Sequence, residues 1–335
     1  MAFQTHSCGF WNLIAIERGK MKNDLDSETT KENRSHFKRG SSFKSQLTAI
    51  RKKIISRGDL PNVSLKTQLE LLKQLSEFPF GRYLLERRGA NGFWTDFLIF
   101  HPDRKFAAET GNNGDIANTV EDFIFNRSLI VLAHRERVSI FQKLIQERIK
   151  EGIVLASIPC GVMRDLLTLN FASISNFRIV GLDIDKESLD LAKNLANERG
   201  ITNVDFFQQD AWQMKNLNEF DVIASSGLNV YESNSKKLLD LYSKFFTALK
   251  PGGSLVISVL TYPPGESKKT DWKLDGILSK DLLMENILYR DILGLHWRNF
   301  RSIDELDREF KHVGFSKISI HFDKHQIFPT ILATK

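Results

Sequence analysis

Between residues 153 and 260 the chain alternates short apolar segments with helical segments, and this alternation constrains its fold more than any other feature. The apolar segments predict strands at Ile153–Ile158, Arg178–Asp183, Val204–Gln208, Phe220–Ala224 and Ser254–Leu260. Helices are predicted between them, the clearest at Lys186–Arg199, where leucines and alanines recur at helical spacing before Gly200. Strands and helices in this order predict an α/β fold built on a mainly parallel sheet.

Polar residues follow the first three predicted strands. Residues 157–165 read SIPCGVMRD, Asp183 ends the second strand in IVGLDID, and Asp210 follows the third strand in QQDAW. In an open α/β sheet, ligands bind outside the carboxyl ends of the strands. A carboxylate such as Asp183 suits a ribose, because one carboxylate can accept from two adjacent hydroxyls. Asp185 is better placed to cap the helix that follows.

These segments, together with the turn and strand LKPGGSLVIS, resemble in their order the class I S-adenosylmethionine-dependent methyltransferases. The resemblance implies a Rossmann-like seven-stranded sheet whose last strand is antiparallel, with a helical cap before it. Segments Ser316–Phe322 and Gln326–Thr334 would form the closing antiparallel pair. It also implies S-adenosylmethionine as cofactor, and outside the core the chain looks like a bacterial methyltransferase-like group of unassigned substrate.

The resemblance assigns cofactor contacts to positions that match the family's motifs. These are Ser157, Pro159, Cys160, Gly161, Asp183, Ile184, Asp210, Ala211, Trp212 and Ser226. The acid of Asp210 would bind the adenine amino group, and Trp212 would pack on the ring. The first turn departs from the family pattern, since Ser157 replaces the usual acid and Gly161 alone of the usual glycines is kept. Asp165, or backbone carbonyls near Ser157, could replace the missing acid.

Methyl transfer from a sulfonium is an in-line displacement, so alignment of the nucleophile and exclusion of water matter most. Two regions are expected to build the acceptor site: the helical cap before the first strand and the insertion 261–300. His296 is the histidine of that insertion and our candidate general base, with Tyr231 and Asp96 as further candidates. A small or medium-sized organic methyl acceptor is the predicted partner.

The chain is predicted to divide into a basic, poorly ordered segment 1–58, a helical cap 59–150, and a methyltransferase core 151–335 with the insertion 261–300. The first 58 residues hold 12 Lys and Arg against 5 Asp and Glu, a net of +7, so the remainder is about −1 of the total +6. A protein or RNA methyltransferase that holds its substrate with this basic segment is therefore the second hypothesis. A non-catalytic cofactor-binding or scaffold protein is the third, because the first turn is altered. A nicotinamide oxidoreductase is disfavoured by the absent G-x-G-x-x-G.

Composition narrows the remaining classes. The chain has two cysteines, which fits a reducing compartment. No apolar run reaches the length of about 18 residues that a membrane span needs, and no signal peptide is recognised. We therefore expect a cytoplasmic protein. The scattered histidines predict no metal site, and no phosphate-binding Gly-Lys-Ser/Thr loop is found. The sequence does not set the oligomeric state.

Overall fold

A computed structural model describes residues 43–100, 119–264, 270–295 and 299–335. Its centre is a seven-stranded sheet in the order β3-β2-β1-β4-β5-β7-β6, in which β7 runs antiparallel to both of its neighbours. This is the sheet that the sequence predicts. The strands are β1 Ile153–Ser157, β2 Phe177–Asp183, β3 Val204–Gln208, β4 Phe220–Ser226, β5 Leu249–Ser258, β6 Ser316–His321 and β7 Thr330–Thr334.

The central strands are apolar because helices cover both faces of the sheet. Leu155 and Ala156 of β1 are both fully buried although they point to opposite faces. The chain leaves β1 towards β2 on one side and later adds β4 on the other side. The β1–β4 junction is therefore the point where the strand order reverses, which is where open α/β sheets bind their ligands.

Eleven α-helices of the described residues surround the sheet or precede it. They are α1 Phe43–Arg57, α2 Leu65–Leu75, α3 Pro79–Arg87, α4 Gly92–Phe100, α5 Thr119–Asn126, α6 Leu129–Gln146, α7 Arg164–Leu167, α8 Lys186–Glu198, α9 Ser235–Ala248, α10 Ser279–Glu285 and α11 Ile303–Val313. A π-helix, Asn286–Leu293, continues α10. Ser64, Asp185 and Ser302 cap α2, α8 and α11 through their side chains, and the cap at Asp185 is the one predicted above.

The helices before β1 form a cap that shares one apolar cluster with the insertion. Leu85 and Phe123 of the cap, Leu288 of the insertion and Phe328 before β7 all belong to this cluster. Helix α6 joins the two parts of the molecule: its first half lies in the cap cluster, and Phe141 and later residues pack against the sheet. The side chains at the middle of α6 therefore lie between cap and sheet.

Two cap segments differ from the sequence expectation. Helix α1 lies inside segment 1–58, and the burial of Ile50 and Ile54, four residues apart on one face, stabilises it. The poorly ordered segment predicted to reach residue 58 is therefore wrong for 43–57, and residues 1–42 lie outside the described chain. The apolar pattern from Thr119 to Lys150 predicts a long amphipathic helical region, and the structure divides it into α5 and α6, because the Ser128 side chain caps the backbone N–H of Val131 and begins a second helix.

In the part of the chain that the structure describes, no helix combines the length and the apolar character needed to cross a membrane.

Candidate active site

A cavity of about 220 Å³ lies at the β1–β4 junction, under the cap. Loops at the carboxyl ends of β1, β2, β3 and β4 form its floor, and helices α4 and α6 of the cap form its walls. Seven of the ten predicted cofactor contacts line this cavity and so come together from separate strands. They are Pro159, Cys160, Gly161, Asp183, Ile184, Ala211 and Ser226.

Asp183 organises the floor of the cavity. Its two carboxylate oxygens accept hydrogen bonds from the backbone N–H of Gly161 at 2.8 Å and of Asp185 at 2.9 Å. The carboxylate thus ties the end of β2 to the turn after β1, and Gly161 adopts a left-handed conformation there with φ +52°. Asp183 is 7% exposed, and burial raises the pKa of its carboxyl above the usual value. Each oxygen keeps a further lone pair for a ligand hydroxyl.

An acid of the following helix lies next to Ser157. The Ser157 hydroxyl donates to Asp165 Oδ2 at 3.1 Å, and Asp165 lines the cavity although Ser157 does not. Burial raises the pKa of Asp165 to about 6. Ser157 and Asp165 together therefore place a carboxylate beside the altered turn.

The two residues expected at the adenine lie outside the lining of the cavity. Asp210 accepts the backbone N–H of Trp212 at 3.0 Å and so begins the short helix Ala211–Gln213. The Trp212 indole N–H donates to the carbonyl of Lys237 on α9 at 2.9 Å, and its ring packs against the core beneath that helix. These contacts stabilise the loop after β3. A role for either residue at the adenine stays a prediction.

The N-terminus of α4 lies directly on the turn after β1. A Cβ atom added at Gly92 would come within 2.5 Å of Ser188 Oγ and 2.9 Å of Gly161 Cα, so only glycine allows this approach. Farther along α4, Asp96 lines the cavity but is paired: Arg164 donates to its two oxygens at 2.6 and 2.9 Å. This ion pair joins the cap to the core. It occupies both oxygens of Asp96, the residue that the sequence analysis names as a catalytic candidate.

The other two catalytic candidates differ in position. Tyr231 lies on the short helix after β4 and lines the cavity close to Arg137. His296 lies outside the described residues, and its candidacy stays a prediction.

Two functional candidates were missed by the sequence reasoning, and both come from the middle of α6. His134 and Arg137 line the cavity, and each packs on the ring of Phe328, His134 at 4.2 Å between ring centroids and the Arg137 guanidinium at 5.1 Å. The register of the helix indicates that Arg137 is buried. Arg137 stands four residues from each of the buried Ala133 and Phe141, on the face that the pattern assigns to the core.

The protonation of His134 follows from its contacts. Its Nδ1 lies 3.1 Å from the carbonyl oxygen of Ile130, which can only accept, so Nδ1 carries the proton and Nε2 carries a lone pair. Burial, with Arg137 nearby, holds the pKa of His134 well below its usual value. The imidazole is therefore neutral at pH 7.

The polar groups of the cavity suit a nucleoside linked to an amino acid. The Asp183 carboxylate, which keeps free lone pairs, ends β2, and the Asp165 carboxylate lies beside the turn after β1. The hydrogen bond from Gly161 to Asp183 holds the backbone of this turn at the cavity. Within 43–100, 119–264, 270–295 and 299–335, no group of three or more His, Cys, Asp or Glu residues is arranged to hold a metal ion.

The chain is similar to several known proteins. The sequence profile of the family described as a methyltransferase domain matches residues 150–303. The crystal structure of a possible exported protein from Bordetella parapertussis superposes with a TM-score of 0.80 and 32% identity, over 88% of this chain and 97% of that one. The demethylmenaquinone methyltransferase of Lactococcus lactis subsp. lactis (strain IL1403) is 22% identical over 183 residues, 52% of this chain and 69% of that protein. The Burkholderia thailandensis 1,6-didemethyltoxoflavin-N1-methyltransferase, crystallised with S-adenosylhomocysteine, gives a TM-score of 0.43 at 15% identity, over 59% of this chain and 78% of that chain.

Proposed function

Because the chain belongs to the class I S-adenosylmethionine-dependent methyltransferases, we propose that it methylates a small or medium-sized organic acceptor held beneath the cap. The observation that carries this choice of acceptor is the cover over the cavity. Helices α4 and α6 wall the site, and Gly92 brings the cap into contact with the turn after β1. A covered cavity suits a small acceptor better than an RNA or protein substrate.

Each carboxylate of the floor has a proposed role in holding the methyl donor. Asp183 binds the ribose hydroxyls with lone pairs that its two backbone contacts leave free. Asp165, oriented by Ser157, binds the ammonium group of the amino acid part and so replaces the acid that other members carry on β1. When bound, S-adenosylmethionine supplies a methyl group activated by a positively charged sulfur.

The residues near the transferred methyl group hold the acceptor in place and exclude water. Ser226 and Tyr231, at the exit of β4, line the cavity two strands away from Asp183 at the end of β2, and the rings of His134 and Phe328 line it as well. If the acceptor loses a proton on transfer, the neutral His134 is the proposed base, because its Nε2 lone pair is not used by the Ile130 contact. It takes the role that the sequence assigned to His296.

Calorimetric titration with S-adenosylhomocysteine tests the donor site. Asp183→Asn should weaken binding by roughly 10- to 1,000-fold, since one or two hydrogen bonds to a charged acceptor are lost or weakened at about 1.5–3 kcal/mol each. Asp190→Asn, an exposed position on α8, is the matched control and should bind as the wild type does. Equal affinity of Asp183→Asn and wild type would contradict the assigned role. Circular dichroism of each variant shows whether it is folded.

Transfer of a radioactive methyl group tests the class of acceptor. The protein is incubated with methyl-labelled S-adenosylmethionine and cell extract, and ultrafiltration separates small molecules from macromolecules. Label should enter the small-molecule fraction, and His134→Gln should slow this transfer about 100-fold with S-adenosylhomocysteine affinity unchanged. Label confined to protein or RNA would instead favour the macromolecular hypothesis. A cytoplasmic location stays a prediction, and cell fractionation would test it.

A further inference from the structure

Arg137 is a cation buried in the wall of the cavity. Its side chain is 2% exposed, on the face of α6 that otherwise carries apolar residues. One terminal nitrogen, Nη1, donates to Ser258 Oγ at 3.1 Å, and the guanidinium packs on Phe328. Its Nε is buried without an acceptor. An arginine is seldom this buried unless an anion pairs with it.

No carboxylate oxygen in the described chain lies within 4.0 Å of Arg137, because the nearby acids are engaged elsewhere. Asp165 accepts from Ser157. Asp323 accepts the backbone N–H groups of Ile327 and Phe328 at 3.1 and 2.7 Å. Both carboxylates attract Arg137 at longer range, but neither contacts it. Arg137 is therefore a buried cation with no carboxylate in direct contact.

A second arginine of the same cavity shows the contrast. Arg164 also lines the cavity, but it forms the two-bonded ion pair with Asp96 described above. The protein thus neutralises one cavity arginine and leaves the other with donors available. The difference points to a bound anion, and not to cap packing, as the reason for Arg137.

The position of Arg137 indicates which part of the site that anion occupies. Its contact Ser258 ends β5, and its Nη1 lies 3.9 Å from where a Cβ of Gly227, after β4, would stand. Asp183, the proposed ribose ligand, lies at the end of β2, two strands from β4 in the sheet. Arg137 therefore faces the acceptor end, where His134, Tyr231 and Phe328 add ring surface.

We propose that Arg137 binds the carboxylate of an acidic methyl acceptor, an inference that rests on the proposed function and names its substrate class. The planar guanidinium matches a carboxylate with two parallel hydrogen bonds, a geometry that lysine does not offer. The adjoining rings favour an acid with an aromatic or other flat apolar body. The methyl donor also carries a carboxylate, so the experiment separates the two sources.

The test compares acids with their neutral amides on wild-type protein and on Arg137→Met. Benzoate is paired with benzamide and phenylacetate with phenylacetamide, each titrated by calorimetry with and without saturating S-adenosylhomocysteine. At least one acid should bind wild type about tenfold or more tighter than its amide, and Arg137→Met should remove that preference. Arg137→Lys should keep only part of it. Arg148→Met, the same change just beyond α6, should bind as wild type.

Three outcomes would overturn the proposal. Acid and amide bind equally in both pairs, or Arg137→Met keeps the preference for the acid. In the third outcome, Arg137→Met weakens S-adenosylhomocysteine but not 5′-methylthioadenosine, which lacks the amino acid part, and the carboxylate is then the donor's. Failure of wild type to bind S-adenosylhomocysteine would count against the proposed function instead, and the titrations without it would still report on Arg137.

Discussion

Removal of the charge at Arg137 should make the ligand-free protein more stable. Burial lowers the pKa of Arg137 well below the usual arginine value, to about 10, and each pKa unit corresponds to about 1.36 kcal/mol. The charge on Arg137 therefore destabilises the folded state by ~3 kcal/mol. The cost is fully present at pH 7.5, because arginine is protonated in the folded and unfolded states at every pH well below 10.

Arg137→Met removes that cost together with two favourable contacts. The hydrogen bond to Ser258 contributes about 1.5 kcal/mol, because its donor is charged, and the contact with Phe328 contributes about 1 kcal/mol. Methionine fills a similar volume and adapts to its neighbours. The net expectation is a gain of roughly 0.5–1 kcal/mol in the free energy of unfolding, in line with other replacements of buried charges by apolar residues.

Urea denaturation at pH 7.5 without ligand, followed by tryptophan fluorescence, measures the change. The midpoint should rise for Arg137→Met while the slope stays constant. Arg148→Met should change the free energy by less than about 0.5 kcal/mol. A loss of more than about 2 kcal/mol in Arg137→Met would refute the reasoning, because it would mean that the cation has a strong internal partner. The argument for an external anion would then lose its basis.

Three further substitutions test other parts of the site. Burial raises the pKa of Glu285 from 4.5 to about 7, so the stability that this residue contributes is fully present below pH 4.5 and is lost as pH rises through 7. The free energy of unfolding should therefore fall by ~3 kcal/mol over this range. Glu285→Gln should remove this fall in urea denaturations between pH 5 and 8. Gly92→Ala forces a Cβ against Ser188 and Gly161 and should weaken S-adenosylhomocysteine about tenfold or more by calorimetry, as small misplacements in a site do. Asp165 has a raised pKa of about 6, and in its proposed role it binds the donor's ammonium only when ionised. Donor affinity should therefore fall as pH drops through 6, and Asp165→Asn should be weak and pH-independent in the same titration.

The sheet could be predicted from the sequence because its strands are buried on both faces. Such strands appear as short apolar runs; Gly152 stands directly before β1, and an acid ends β2. The position of Asp183 could be predicted for the same reason, since it is the last residue of β2 and its place depends on local sequence. The helix caps at Ser64, Asp185 and Ser302 also follow from local patterns.

The wall of the cavity could not be predicted in the same way. The register of α6 places Arg137 on the core face, but residue type contradicts it, because a charged residue of an amphipathic helix is normally assigned to solvent. Its burial depends on contacts with Ser258 and Phe328, which are 121 and 191 residues away along the chain. Trp212 shows the reverse case: its place next to Asp210 suggested the adenine, but its indole N–H donates to α9.

The two ends of the site therefore depend on different parts of the protein. The donor end is built from loops of the sheet, and each loop follows its own strand. The acceptor end is built on α6, and the N-terminus of α6 is held by a residue of the insertion. The Glu285 carboxylate accepts the hydroxyl of Ser128 and the backbone N–H groups of Leu129 and Ile130, each at 3.1 Å.

This contact fixes the helix that carries His134 and Arg137, although Glu285 lies outside the lining of the cavity. A substitution in the insertion can therefore move the acceptor groups without touching the donor site, since Asp183 and Gly161 depend on none of these contacts. Family resemblance rests on the strands and loops that hold the donor, so it identifies the cofactor. The proposed acceptor site depends on how cap and insertion meet, and the proposed preference for a carboxylate therefore rests on the buried charge of Arg137 and not on family resemblance.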